Sequence, residues 1–248
     1  MFGREQSIRR RVITAGSVHG LFQQFQEVVV DILFHIRYTI VIFMKSKKNL
    51  LEQLKPLPHF GKSTVYQLGT QLGLKNTTID TYISRFLKYR EIFQLKKGLY
   101  VSTDFFDKNK NDISYSFYLA NIIRTPSYVS SWTALQYYNL STEAIRSIAS
   151  VTPKVTRDYK TNAGDFAYQS IKKNFFLDFI LIKVKFNFFI ASPSKALFDL
   201  LYFRTRQFRG ITFKHIETLI EELRIDIDEM EKKEQAKFYL MIKKNFHE

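Results

Sequence analysis

The chain has 248 residues, 45% of them hydrophobic, no cysteine and a formal net charge of +15. That composition supplies apolar side chains for a packed core and excludes both a disulfide framework and a thiolate metal site. The charge is uneven. Residues 44–103 carry eleven Lys/Arg against three Asp/Glu, a net +8, which points to a polyanionic partner rather than to an evenly solvated surface.

Residues 1–43 differ from the rest. Val28–Met44 reads VVVDILFHIRYTIVIFM, a run apolar enough to suggest a membrane span. Asp31 and Arg37 argue against one. Each costs about 2.5–3.5 kcal/mol at a bilayer centre, whereas each Ile, Val or Phe returns only about 0.3–0.6. Arg9-Arg10-Arg11 could open a signal peptide, but no small-residue cleavage site follows the apolar run. Met44 begins an ordinary polar lead-in, MKSKKNLLEQL, and is read as a candidate start. Residues 1–43 are then an uninformative extension. No membrane partner is expected, and the lack of cysteine fits a reducing cytoplasm.

The next elements form a recognisable unit. Leu50–Leu54 predicts a short helix ended by Pro56 and Pro58. Ser63 is placed to cap a helix carrying Val65, Leu68 and Leu72, and Gly73 supplies a turn. Asn76 or Thr77 caps the next helix, whose apolar face is Ile79, Ile83, Phe86 and Leu87. Its other face carries Thr78, Thr81, Tyr82, Arg85, Lys88 and Tyr89. Ile92–Leu95 and Leu99–Ser102 then predict a hairpin turning at Lys97-Gly98. This is the pattern of a winged helix-turn-helix, which places one helix in the major groove of double-stranded DNA. Arg can pair with guanine and Thr can meet a thymine methyl or a phosphate, so Thr78, Thr81, Tyr82, Arg85 and Lys88 are the candidate reading residues. Lys96 and Lys97 are the candidate phosphate contacts of the wing.

Residues 103–112 read as a polar linker, and Ile113–Arg124 as a helix ending before Pro126. Tyr128-Val129 predicts a short strand, with Ser130 or Ser131 capping a helix through Tyr138. Ile145–Val151, Gly164–Tyr168, Phe179–Phe186 and Phe188–Ala191 predict strands. Ser192-Pro193-Ser194 introduces a helix over Lys195–Phe203, and residues 212–243 predict a helical tail. The expected class is α+β: residues 1–43, a winged helix-turn-helix over 44–103, a linker and helix over 104–126, and a mixed α/β C-terminal domain with helical tail over 127–248. The two folded parts are expected to bury separate cores.

The order of pieces in the second part carries a resemblance. Tyr128–Tyr138 (YVSSWTALQYY), Ser150–Arg157 (SVTPKVTR), Gly164–Tyr168 (GDFAY) and Ser192–Tyr202 (SPSKALFDLLY) follow one another behind the winged unit and its KKGLY wing. Together they resemble the AbiEi family of antitoxins, over roughly residues 46–205. Tyr138-Asn139-Leu140 departs from the His-Gly-Leu common there, and the tail has no aligned counterpart. The resemblance implies an autorepressor binding promoter repeats. It also implies an antitoxin of a type IV toxin–antitoxin, abortive-infection module, countering a nucleotidyltransferase-like toxin without a stable complex. The alternative is a winged-helix regulator whose C-terminal domain senses a ligand or docks a protein.

Two further groups are candidates for an antitoxin surface. Lys154 and Arg157, with Lys160, cluster after a strand; an unstructured loop is the competing reading. Lys195 and Asp199 lie i, i+4 on one helix, where an ordinary ion pair is the competing reading. No catalytic set is legible. Asp178 precedes Lys183 and Lys185, but no second carboxylate accompanies it. His19, His35, His59, His215 and His247 are scattered, without metal-ligand spacing. The chain is therefore expected to be a non-enzyme with no cofactor and no metal.

Overall fold

The computed structural model describes Arg37 and residues 47–142 and 146–245. The chain divides into two units, Met1–Glu52 and Gln53–Glu248. In the first, residues 47–52 are helical, and that helix (α1) runs on to residue 54. Most of residues 1–43, including the apolar run, lies outside the described residues. Among those described, no helix is long and apolar enough to cross a membrane.

The second unit is α+β. It opens with β1 (Phe60–Gly61), α2 (Lys62–Gln71), α3 (Asn76–Lys88), β2 (Ile92–Lys96) and β3 (Leu99–Ser102), and its first sheet has the order β1-β3-β2. A helix-turn-helix backed by a hairpin in this order has the connectivity of a winged helix. The predicted caps are not used. α2 starts one residue before Ser63, with Gly61 at its N-cap, and α3 starts behind Lys75; neither N-cap makes a side-chain hydrogen bond.

The polar linker expected over 103–112 is instead a helix, α4 (Thr103–Asn109). Ser102 caps it, accepting from the Phe105 amide, and Asp104 sits in its first turn. Its two aromatics hold it down. Phe106 meets Phe93 edge-on at 5.2 Å, and Phe105 packs against Tyr115 at 5.5 Å. Tyr115 belongs to α5 (Ile113–Ile123). The buried apolar cluster consequently runs from Phe93, Leu95 and Val101 of the hairpin, through Leu119 and Ile123, into the following sheet. α4 and α5 thus join the hairpin to the following sheet through aromatic side chains, while Val65, Ile79, Ile83 and Phe86 of the helix-turn-helix are buried outside that cluster.

The second sheet has six strands: β4 (Tyr128–Val129), β5 (Ile148–Thr152), β6 (Arg157–Thr161), β7 (Gly164–Ser170), β8 (Phe179–Ile182) and β9 (Phe188–Ala191). Their order is β6-β7-β5-β4-β9-β8, with β5–β7 and β4–β9 parallel and the other pairs antiparallel. β8 stops at Ile182, short of the predicted Phe186. α6 (Ser131–Tyr137) packs on α7 (Pro193–Arg204). α7 has Pro193 at its start and Ser192 as cap, accepting from the Lys195 amide. The helical tail consists of two helices, α8 (Phe213–Glu222) and α9 (Lys232–Asn245). Glu234 of α9 accepts from the Ser194 amide and hydroxyl, fastening the tail to the start of α7.

Several hydrogen bonds join the winged part to α5, and one of them involves a group that titrates near neutral pH. The Tyr118 hydroxyl and Nδ1 of His59 share a hydrogen bond of 2.6 Å. Burial holds the His59 ring below its ordinary value of 6.5, and the neutral ring is the form that can accept. Above pH 6.5 the ring is neutral in folded and unfolded chains alike, so its contribution is whole. As the pH falls below 6.5 the unfolded chain takes up the proton first, and stability falls toward the lower folded-state value. Denaturant melts compared at about pH 7.5 and 5.5 should therefore show a smaller loss in His59→Gln, which cannot titrate. An identical pH dependence in both proteins would remove His59 from this account.

Candidate nucleic-acid interface

The helix-turn-helix is held by close packing and by one ionic latch. Gly73 makes the turn with φ +72°, a conformation that suits glycine. Asp80 projects from α3 and receives the Tyr66 hydroxyl at 2.7 Å and the Lys62 ammonium at 3.0 Å, both from α2. These two partners hold its carboxyl below the usual range, Tyr66 first and Lys62 second. The Lys62 ammonium offsets the negative charge that Asp80 brings to this side of α3. Sequence inspection missed this pairing, although the Lys62/Tyr66 spacing on one side of α2 was visible.

The faces of α3 are well separated. Ile79, Tyr82, Ile83 and Phe86 are buried, while Thr81, Arg85 and Lys88 are exposed and Thr78 is half-buried. Tyr82 corrects the expected reading set. It is 0% exposed and packs on Phe86 with ring centroids 6.2 Å apart. Its position explains this, because 79, 82, 83 and 86 form the i, i+3, i+4, i+7 stripe of the core face. Burial pushes its phenol up from the ordinary value. Thr81 already donates to the Thr77 carbonyl at 2.9 Å, so its oxygen and methyl are what remain for a partner. Arg85 and Lys88 occupy the last turn of α3.

In the wing, the two lysines part company. Lys97 is exposed at the turn. Lys96 is half-buried, and its ammonium donates to the Ile123 carbonyl at 2.6 Å, capping the end of α5. A cation at a helix C-terminus is stabilised by the helix dipole, so Lys96 serves the fold instead of reaching out as a phosphate contact. The Gly98 carbonyl accepts from the Lys62 amide at 3.0 Å and ties the wing turn to the start of α2.

The second set of candidates also divides. Arg157 and Lys160 lie on strand β6, not in a loop, and both are exposed. Arg157 stands over the Tyr159 ring at 5.7 Å. Lys154 is exposed and donates to the Thr125 carbonyl at 2.6 Å. Lys195 and Asp199 are 1% and 0% exposed and form a buried ion pair at 2.5 Å, so neither belongs to a surface. Asp199 also receives Ser130 at 2.7 Å and Tyr128 at 3.0 Å. Burial pushes the Asp199 carboxyl up, against the pull of Lys195 and these two hydroxyls. The diversion of Ser130 to Asp199 explains why the cap predicted for α6 makes no side-chain bond.

No protein-family model matches the chain, and no curated protein sequence matches it.

Proposed function

We propose that the chain is a DNA-binding transcriptional autorepressor and the antitoxin of a type IV toxin–antitoxin module, countering a nucleotidyltransferase-like toxin. The DNA reading is supported by α3. Its apolar stripe faces the core, and Thr81, Arg85 and Lys88 stand on the exposed side. The +8 excess of residues 44–103 supplies the electrostatic part of the affinity. The antitoxin reading rests on the ordered motifs over Tyr128–Tyr202.

Fluorescence anisotropy against salt tests the first half. Lys97→Ala should weaken binding on operator and random duplexes alike and reduce the salt slope by about 1. Arg85→Ala should instead lose about 1–3 kcal/mol of discrimination between the two duplexes. Equal losses on both duplexes would assign Arg85 to phosphate alone. Co-expression with a nucleotidyltransferase-like toxin encoded beside this gene tests the second half. Growth should be rescued by the full chain; operator repression without rescue would leave a repressor that is no antitoxin.

A further inference from the structure

A cavity of about 480 Å³ opens between the second sheet and the end of α7. Its floor is a row across three strands. Asp158 of β6 stands opposite Ala167 of β7, which stands opposite Ala149 of β5. Two alanines side by side keep that floor low. Trp132 of α6 and Phe203 and Arg204 of α7 stand around it. Trp132 is half-buried and is the only tryptophan of the chain. Volume and aromatic lining suit a planar ring.

Arg204 also opens a basic surface. Phe208, from the loop that follows α7, packs on Phe198 at 5.4 Å and on Tyr202 at 5.7 Å. Phe175, which follows β7, packs on the same two rings at 5.7 and 5.4 Å. The Lys172-Lys173 turn and the Arg204–Arg209 loop are thereby brought together over the end of α7. Lys172, Lys173, Arg204, Arg206 and Arg209 are all exposed. Among the described residues, none of the five forms an ion pair with an acid. Residues 104–248 carry 22 Lys/Arg and 17 Asp/Glu, so these five cations equal the whole excess of that part. Unpaired cations gathered on one surface repel one another, and a polyanion relieves that repulsion.

We propose that this face binds single-stranded nucleic acid, with one unstacked base in the cavity beside Trp132 and Phe203 and the adjoining phosphates on Arg204, Arg206 and Arg209. Aromatic side chains beside a basic track are the two parts such binding needs. Asp158 suits a base and not a phosphate: a carboxylate only accepts, and base N–H and amino groups donate. A duplex, whose bases stay paired and stacked, offers phosphates to the cations but no free ring to the cavity. The inference does not depend on whether α3 reads DNA.

The single tryptophan gives a direct readout. Emission of the full chain is followed while a dT decamer, an rU decamer, a ten-base-pair duplex and heparin are added in turn. An Arg85→Ala/Lys97→Ala background weakens the winged unit and should leave the result unchanged. The decamers should quench Trp132 by stacking, whereas duplex and heparin bind without comparable quenching. Quenching by either decamer supports the proposal, and the stronger of the two assigns the sugar. Replacing Arg204, Arg206 and Arg209 together by Ala should lower the salt slope of decamer binding by about 2, at about 0.7 per phosphate contact. Trp132→Ala should weaken the decamer by about 5–100-fold in anisotropy, the worth of one stacked base, and Trp132→Phe should restore most of that loss. Should Trp132→Ala fail to fold, Trp132→Phe and the three-arginine variant, changed only at exposed positions, carry the test. Decamer binding without quenching, equal quenching by heparin, or a salt slope unmoved by loss of the three arginines would overturn the proposal.

Discussion

Asp199→Ala is expected to destabilise the protein by about 3–5 kcal/mol, because it leaves the Lys195 ammonium buried without its counter-charge. Lys195 is 1% exposed, and its nearest compensation is the faces of Phe198 at 4.9 Å and Tyr128 at 5.9 Å. The loss also strips Ser130 and Tyr128 of their acceptor. Replacing both charges, as in Lys195→Met with Asp199→Leu, should recover most of the loss, since a buried pair gains little over apolar side chains of similar volume. The exposed pair Lys110–Asp107, at 3.0 Å, provides the contrast. Its removal should cost no more than about 1 kcal/mol. Urea midpoints of these three variants decide the matter. An Asp199→Ala loss no larger than that of the exposed pair would mean the buried charges are already relieved in another way. The pair also bears on the antitoxin proposal: failure of growth rescue in these variants would report folding, so surface residues such as Arg157 are the better probes.

The winged unit was legible because its signals are local. The 79/83/86 face of α3, Gly73 in the turn and the Lys97-Gly98 hairpin each lie within a few residues of one another. Ser192-Pro193 at the start of α7 was legible for the same reason. What escaped depends on distant partners. Tyr82 carries a polar atom and was read as surface, but its ring belongs to the core stripe. Lys96 looks like its neighbour Lys97 until the end of α5 is placed beside it. Lys195 and Asp199 look like a solvated helix pair until Tyr128 and Ser130, some seventy residues earlier, close over them. The sequence TDFFDKNKND has too few apolar residues to show a period, and only the partners of Phe105 and Phe106 make α4 a helix in the core instead of a linker.

Gly69 carries the second large expected effect, and it links the core to the proposed reading helix. A Cβ at this buried position in α2 would stand 2.4 Å from Cδ1 and 2.6 Å from Cγ1 of Ile79 in α3. Alanine would gain about 1 kcal/mol of helix propensity. Overpacking a filled core costs about 1–3 kcal/mol, and Ile79 is 0% exposed, so its side chain has no open space to enter. Gly69→Ala is therefore expected to destabilise the protein, and larger residues to do so more. Relief requires α3 to move away from α2, which would carry Thr81, Arg85 and Lys88 with it and loosen the Lys62–Asp80 latch. Operator affinity should then fall more than affinity for random DNA, because specific contacts depend on the placement of the helix while phosphate attraction does not. Ile79→Ala alone should cost about 2–5 kcal/mol by leaving a cavity. Combined with Gly69→Ala, it should cost less than the sum of the two single changes, by about 0.5–3 kcal/mol, since the new methyl occupies the space that Ile79 vacates. Strict additivity of the two substitutions would show that these side chains do not meet, and that some other contact sets the approach of α3 to α2.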